Sequence, residues 1–390
     1  MTQNYDIVVL GGGIVGAATA EALSRRGGRV LLLDQYEPGH THGSSHGDGR
    51  VIRYDYAEPF YVEMAKLAYP LWAELSQRAG EPLIQQTGLL SMGPIDHPEL
   101  ITLKNTFAQT QISYQSLTAA EVNQRFPQFH LEAGAEALYQ PQGGVNFATP
   151  AVKALWRLAQ TNGVTTMTGQ RIQEIVVQQA GVRLRSQSGE SWQAGRLVLA
   201  MGSWTPKMCR NLNLELPLEV TQEQLAYFPV THPTLSHRVG DMPVFVDYHA
   251  TNAFYGIPQV DIPGVKVGWH HTGIPLAGPD ERQPWHEDIL QGIQEFVRQR
   301  FPHLDASAPF NLVTCLYTNT PDYHFVLDRH PDWSHIAIAA GFSGHGFKFG
   351  PLLGQIMAAL ALDETPPVSL APFAISRFDE LNQLQRRTGI

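Results

Sequence analysis

The segment Gly11-Gly12-Gly13-Ile14-Val15-Gly16 follows directly on the apolar run Tyr5-Asp6-Ile7-Val8-Val9-Leu10. A second apolar run, Arg29-Val30-Leu31-Leu32-Leu33, stops at Asp34. The order predicts a strand, a glycine turn, a helix, a second strand and an acidic end, which is the layout of a dinucleotide-binding βαβ unit. Gly11 permits the tight turn. Gly13 lets the backbone approach a pyrophosphate with no Cβ in the way, and Gly16 lets the helix expected over residues 14–26 lie close to the sheet. The pyrophosphate would sit at the amino end of that helix, where free N–H groups and the macrodipole favour negative charge. Asp34, eighteen positions after Gly16, is spaced to accept hydrogen bonds from a ribose. The fingerprint alone serves FAD and NAD equally.

A chain of 390 residues is too long for one small core and predicts two domains, with interleaving of their segments. Apolar content of 43% with 16% charged residues describes an ordinary globular enzyme rather than a disordered chain. The net charge of −9 argues against a general nucleic-acid binder, while leaving room for a local basic pocket. No apolar stretch approaches the ~20 residues needed to span a bilayer. The amino-terminal residues lack a leader pattern and Arg387-Thr388-Gly389-Ile390 is no peroxisomal tripeptide, so a cytoplasmic location is expected. Two cysteines, Cys209 and Cys315, exclude a disulfide framework and a thiolate zinc site. His40, His42 and His46 share a polar loop but have no second cluster at ligand spacing, so the loop is read as wrapping a cofactor and no metal is expected.

Further along, a helix is expected over residues 59–77, with apolar positions at Met64, Leu67, Leu71 and Leu75 and a kink or interruption at Pro70. Thr149-Pro150 reads as an N-cap and first-turn proline opening a helix that carries Val152, Leu155, Leu158 and Ala159. Strands are expected at 175–177 and 182–184 around an Ala180-Gly181 turn, and at 197–200. Short strand-like runs at 225–229, 243–248, 254–258 and 265–269 favour an antiparallel sheet. A last strand at 336–340, a glycine loop at 341–346 and an apolar helix at 347–362 put another helix amino end at a sheet edge. The expected fold class is α/β: a Rossmann-like nucleotide-binding domain with an interleaved substrate domain built on a mixed or antiparallel sheet. Residues 1–85, 145–220 and 321–390 are assigned to the first, and residues 86–144 and 221–320 to the second.

The segments Thr314-Cys315-Leu316-Tyr317-Thr318-Asn319-Thr320-Pro321-Asp322 and Gly341-Phe342-Ser343-Gly344-His345-Gly346-Phe347-Lys348-Phe349 resemble the monomeric sarcosine oxidase family of amine-oxidising flavoproteins, within the larger D-amino-acid-oxidase-like fold. The resemblance runs over almost the whole chain. It takes in Gly43-Ser44-Ser45-His46-Gly47-Asp48 with Arg50 and Arg53, Lys266 with His270, and Pro372-Phe373 through Ser376-Arg377-Phe378. It implies FAD as the cofactor, a small amine and O2 as the partners, and a monomer.

The resemblance also implies roles. Cys315 matches the cysteine bonded to the flavin 8α carbon, and Arg50 the arginine that assists there; a cation beside that edge favours a thiolate. Arg53 and Lys348 match the pair that binds the substrate carboxylate, a task suited to a planar fork plus an ammonium. Lys266 matches the lysine that helps oxygen react, since a fixed positive charge stabilises forming superoxide. His270, Tyr255 and Tyr317 match further catalytic-pocket positions. The expected cofactor contacts are Gly11, Gly13, Gly16, Asp34, Ser44, Arg50, Cys315, Gly344 and Lys348. Taken alone, Cys315 reads as a small buried hydrophobe, Lys266 as an exposed strand residue and the tyrosines as packing. The chain departs from the family pattern at Gly49, where a threonine is common, at Met201, where a small residue is usual, and at Trp269, where tyrosine is frequent.

The expected activity is FAD-dependent oxidation of a secondary N-methyl amino acid to an imine, with O2 reduced to H2O2 and the imine hydrolysed to amino acid and formaldehyde. Alternatives are an oxidase of a bulkier or cyclic secondary amino acid such as N-methyltryptophan or pipecolate, a dehydrogenase using another electron carrier, and a flavin-binding protein without turnover.

Overall fold

The fold, a computed structural model describing residues 3–379, is built on two large sheets. The readings of residues 387–390, and of the end of the 321–390 segment, lie outside the described residues. Strand β1 (Gln3–Leu10) pairs in parallel with β2 (Val30–Leu33) on one side and with the strand Ser191–Leu199 on the other. The second half of β1, Ile7–Leu10, and all of β2 are buried on both faces, which is why those stretches read as continuous apolar runs, while Gln3, Asn4 and Asp6 are exposed. Ile7 and Val9 point into one core, and Val8 and Leu10 into another on the opposite face. The strands Thr165–Met167 and Ile336–Ala340 extend the parallel set, and antiparallel additions complete an eight-stranded sheet.

Helices α1 (Ile14–Ser24) and α2 (Pro59–Ala79), with the helices Ala148–Thr161 and Gly350–Leu362, pack on the Ile7 and Val9 face. The second sheet has nine strands, with the long strand Glu219–Phe228 flanked by Phe310–Asn319 on one edge and Val265–Trp269 on the other. It is antiparallel except where Val244–Asp247 runs parallel to Leu89–Pro94. The helix Glu287–Arg300 covers one face of it. A small third sheet joins Arg50–Ile52, Gly144–Asn146 and Ile84–Gln86. Among the described residues no helix is long and apolar enough to cross a membrane.

Four local expectations are corrected. Helix α2 passes through Pro70 without interruption. Pro70 is exposed, so the carbonyl left unpaired one turn back can meet water, and burial of Tyr61, Met64, Trp72 and Leu75 outweighs the lost bond. Leu67, expected on the apolar stripe, is 41% exposed; the stripe instead runs through the buried Tyr61, Ala68, Tyr69 and Trp72. The helix after residue 147 begins at Ala148 with Phe147 as its N-cap. The Thr149 hydroxyl is taken by the loop instead, accepting from the Gly47 N–H at 3.0 Å. Lastly, the apolar helix near the end starts at Gly350, after a separate 3-10 turn at Phe347–Phe349.

Candidate active site

The amino end of α1 opens into a cavity of about 630 Å³ that reaches from the glycine turn to Lys348. Gly11 adopts φ +102, and a Cβ there would lie 2.4 Å from the Ala200 carbonyl oxygen, so no other residue fits the turn. The Gly12 N–H donates to Asp34 Oδ2 at 2.5 Å and the Tyr36 N–H to Asp34 Oδ1 at 2.8 Å. Burial raises the Asp34 pKa, and these two N–H groups work against that rise. Beside it, Gln170 lines the same cavity with a buried Oε1 that has no partner. On the other side of the turn, Ser45 Oγ accepts from the Ile14 N–H at 3.1 Å. A helix amino end facing the cavity, a buried acid after β2 and an unpaired amide oxygen fit a dinucleotide and its adenosine end. Gly16 does not line the cavity. A Cβ there would come 1.7 Å from the Gly11 carbonyl oxygen, so its task is close packing of α1 on the turn.

Ser44 Oγ donates to the Leu316 carbonyl at 2.5 Å, which ties the polar loop to the strand bearing Cys315. Arg50 braces the same loop, donating to the carbonyls of Ser44, His46 and Gly49 at 2.9, 2.7 and 2.8 Å. Cys315 is buried and lines the cavity. Burial pushes its thiol pKa up, and Arg50 is the strongest of the cations opposing that. Lys266, on the strand Val265–Trp269, is 3% exposed and donates to the Gly49 carbonyl at 3.1 Å. Burial and then Arg50 bring its pKa down to about 7, with Asp48 and Cys315 partly offsetting them. Lys266 is therefore a buried amine poised near neutrality, not an exposed strand lysine.

His270 and Tyr317 share a hydrogen bond of 3.2 Å between Nδ1 and the hydroxyl, and the Tyr255 ring stands edge-on to His270 at 6.0 Å. Burial holds His270 well below its ordinary pKa and raises both tyrosines, so this wall is uncharged at neutral pH. Gly344, at φ +78, lets the chain pass against the Tyr317 ring, where a Cβ would lie 2.2 Å away. Arg53 and Lys348 both lie against the ring of Tyr56, at 5.5 and 5.2 Å from its centroid. Lys348 Nζ donates to the Tyr56 hydroxyl and to the His345 carbonyl, each at 2.7 Å. Burial and then Arg53 lower the Lys348 pKa well below its usual value. Burial opposes the Arg53 charge, but Asp55, Tyr248 and Tyr56 outweigh it and the guanidinium is held above its ordinary range.

Apart from Gly16, every anticipated site residue therefore lines one cavity. Ser45, Gln170, Asp55, Tyr56 and His345 were not anticipated. Ser45 stands beside Ser44 in the quoted loop and His345 beside Gly344, so both were one position from a named residue. Asp55 and Tyr56 follow Arg53 by two and three positions but carry no pattern that marks them, and Gln170 is brought to the site by the fold alone. His42 stacks on Tyr36 at 4.1 Å, and no group of three potential metal ligands occurs among the described residues. Gly49 fits because a Cβ would lie 2.7 Å from Val145 Cγ1. Trp269 turns away from the cavity, donating to the Asn252 carbonyl at 2.9 Å and stacking on Phe254. Met201 lines the cavity.

A nucleotide cradle running into a pocket with a buried amine and two cations defines a dinucleotide-dependent oxidoreductase. The chain belongs to the FAD dependent oxidoreductase family, whose pattern matches residues 6–360. It is 37% identical to a human protein named peroxisomal sarcosine oxidase, over 97% of both chains. It is 30% identical to the N-methyl-L-tryptophan oxidase of Salmonella agona, over 97% of this chain and all of that one. Its fold matches NikD, described as an unusual amino acid oxidase essential for nikkomycin biosynthesis, with a TM-score of 0.86, 27% identity and coverage of 96% and 98%. Within the family this chain is an FAD-dependent oxidase of the sarcosine oxidase type.

Proposed function

We propose that the chain oxidises a small secondary amino acid carrying an N-methyl group, with sarcosine as the simplest case. The observation that carries this reading is the pair of cations, Arg53 and Lys348, which line the cavity that begins at the nucleotide turn and lie against one ring behind it, Tyr56. A guanidinium fork and an ammonium on one carboxylate fix the acid group of a substrate and so orient its Cα–N bond. The uncharged wall of His270, Tyr255 and Tyr317 favours the neutral amine, the form whose lone pair can become part of an imine. FAD, when bound, supplies the acceptor for the two electrons and passes them to oxygen. Gly11, Gly13, Asp34, Ser44 and Gly344 would hold it, with Cys315 as the site of covalent attachment and Arg50 opposing the cost of a buried thiolate.

For sarcosine the balance is sarcosine plus O2 and H2O giving glycine, formaldehyde and H2O2. Lys266 supplies a buried positive charge where oxygen is reduced. The same reading divides the chain into a cofactor unit of residues 1–85, 145–220 and 321–390 and a substrate unit of residues 86–144 and 221–320. It is supported by the way the two large sheets split along those segments. The test is an anaerobic screen of sarcosine, other N-methyl amino acids, N-methyltryptophan and pipecolate, with the flavin absorbance followed. Bleaching by a small N-methyl amino acid, with peroxide formed on admitting air, is expected. Bleaching confined to bulky or cyclic amines, or none at all, overturns the proposal.

A further inference from the structure

Behind Arg53 stands a carboxylate that no part of the chemistry above uses. Asp55 is 1% exposed and does not line the cavity. Its Oδ2 accepts from Arg53 Nη1 at 3.1 Å, from Ser91 Oγ at 2.7 Å and from the Tyr248 hydroxyl at 3.4 Å. Ser91 lies on the strand Leu89–Pro94, and Tyr248 directly follows Val244–Asp247, its parallel neighbour. The second sheet thus holds the acid in place from behind while Arg53 reaches into the cavity from in front. The other oxygen, Oδ1, is buried without a hydrogen-bond partner.

We propose that Asp55 sets the carboxylate grip at one net positive charge and thereby selects monocarboxylate substrates over dicarboxylates. Charges at the grip are Arg53, Lys348 and Asp55. His270 and His345, which face it from neighbouring elements, are kept neutral by burial, as is His271 beside His270. Glu58, the next acid along the chain, acts on Tyr56 and Tyr61, whereas Asp55 is the carboxylate that acts most on both cations. One substrate carboxylate therefore neutralises the site. A second would arrive in a water-poor pocket with no cation of the grip left to meet it. Without the Asp55 charge, either the grip carries an extra positive charge or Lys348 sheds its proton until a second carboxylate arrives. Both routes favour a diacid.

This rests on the carboxylate-binding reading of Arg53 and Lys348, and the experiment separates the two. Propionate and succinate are titrated into the flavin-loaded protein, with the flavin spectrum and the thermal midpoint as readouts. In Asp55→Asn the preference for propionate over succinate should fall on the order of tenfold, the scale of one unit charge acting over several ångströms at a protein-like dielectric. Ser91→Ala, which removes a neighbour of Asp55 but no charge, should leave the preference unchanged. Should Asp55→Asn fail to fold, Asp55→Ser carries the same expectation. An unchanged preference in the Asp55 variant, equal weakening of both acids, or an equal shift in Ser91→Ala overturns the inference while the grip stands. If the wild-type protein binds neither acid, the grip itself is wrong and the inference falls with it.

Discussion

Lys266 is a chemical group whose charge state is set by its surroundings rather than its type. With its pKa brought to about 7 by burial and Arg50, it is charged below that pH and neutral above it. If its charge speeds the reaction with oxygen, the advantage of the wild-type protein is full about one unit below pH 7. It should then shrink by up to about tenfold per unit as pH rises through 7. Stopped-flow reoxidation of the reduced protein checks this: Lys266→Met should react slowly at every pH, matching the wild type only at the alkaline limit. The same falling profile in Lys266→Met would remove Lys266 from the oxygen step. The position of Lys266 was legible as a strand residue alternating with Val265 and Val267, but its depressed pKa was not. That depends on Arg50, more than two hundred positions away in the chain. Asp55 was invisible for the same reason, since its partners Ser91 and Tyr248 come from two other strands.

At the scale of elements, the sequence was most informative where one local rule had no competitor. The β1–α1–β2 unit was legible because apolar runs, glycines and an acid all point to one arrangement, and α1 ends within two residues of its expected limit. The capping expectation at Thr149 failed because a tertiary partner, the Gly47 N–H, claimed the hydroxyl. Of the kink or interruption expected at Pro70, the interruption is absent because α2 is held by its buried face, so one missing bond on the wet side does not end it. The tightest elemental contact is that of α1 with its own turn. Gly16→Ala would place a Cβ 1.7 Å from the Gly11 carbonyl oxygen, forcing backbone to move at the cofactor turn. The expected cost is about 1–3 kcal/mol or more, seen as a lower thermal midpoint together with a reduced flavin-to-protein ratio. Gly278→Ala, with no atom nearer than 3.9 Å to the added carbon, should change neither. A Gly16→Ala protein with normal stability and flavin content would mean that the turn tolerates displacement.

Over the whole molecule, the cavity is a shared boundary. Its walls come from the turn after β1, from the strands bearing Lys266 and Cys315, and from the loop that Arg50 braces. A cofactor lodged there contacts elements of both large sheets, so its binding free energy is also stabilisation of their association. How the attachment is made then decides how stability depends on free flavin. With a thioether at Cys315, the wild-type protein keeps its ligand at any dilution. Acid-denatured wild-type protein should stay yellow, and its thermal midpoint should not respond to added FAD. Cys315→Ala removes the bond but leaves the cradle of Gly11, Asp34 and Ser44 in place. Its pellet should be colourless, and its midpoint should climb with FAD concentration, by about 2.7 kcal/mol of stabilisation at a hundredfold excess over the dissociation constant. The other cysteine, Cys209, is a useful contrast: it is fully buried, burial pushes its thiol up to about 12, and it does not line the cavity. Cys209→Ala should therefore leave the yellow pellet intact. A colourless wild-type pellet, or a midpoint in the wild type that tracks FAD as steeply as in Cys315→Ala, would show the cofactor to be held by contacts alone.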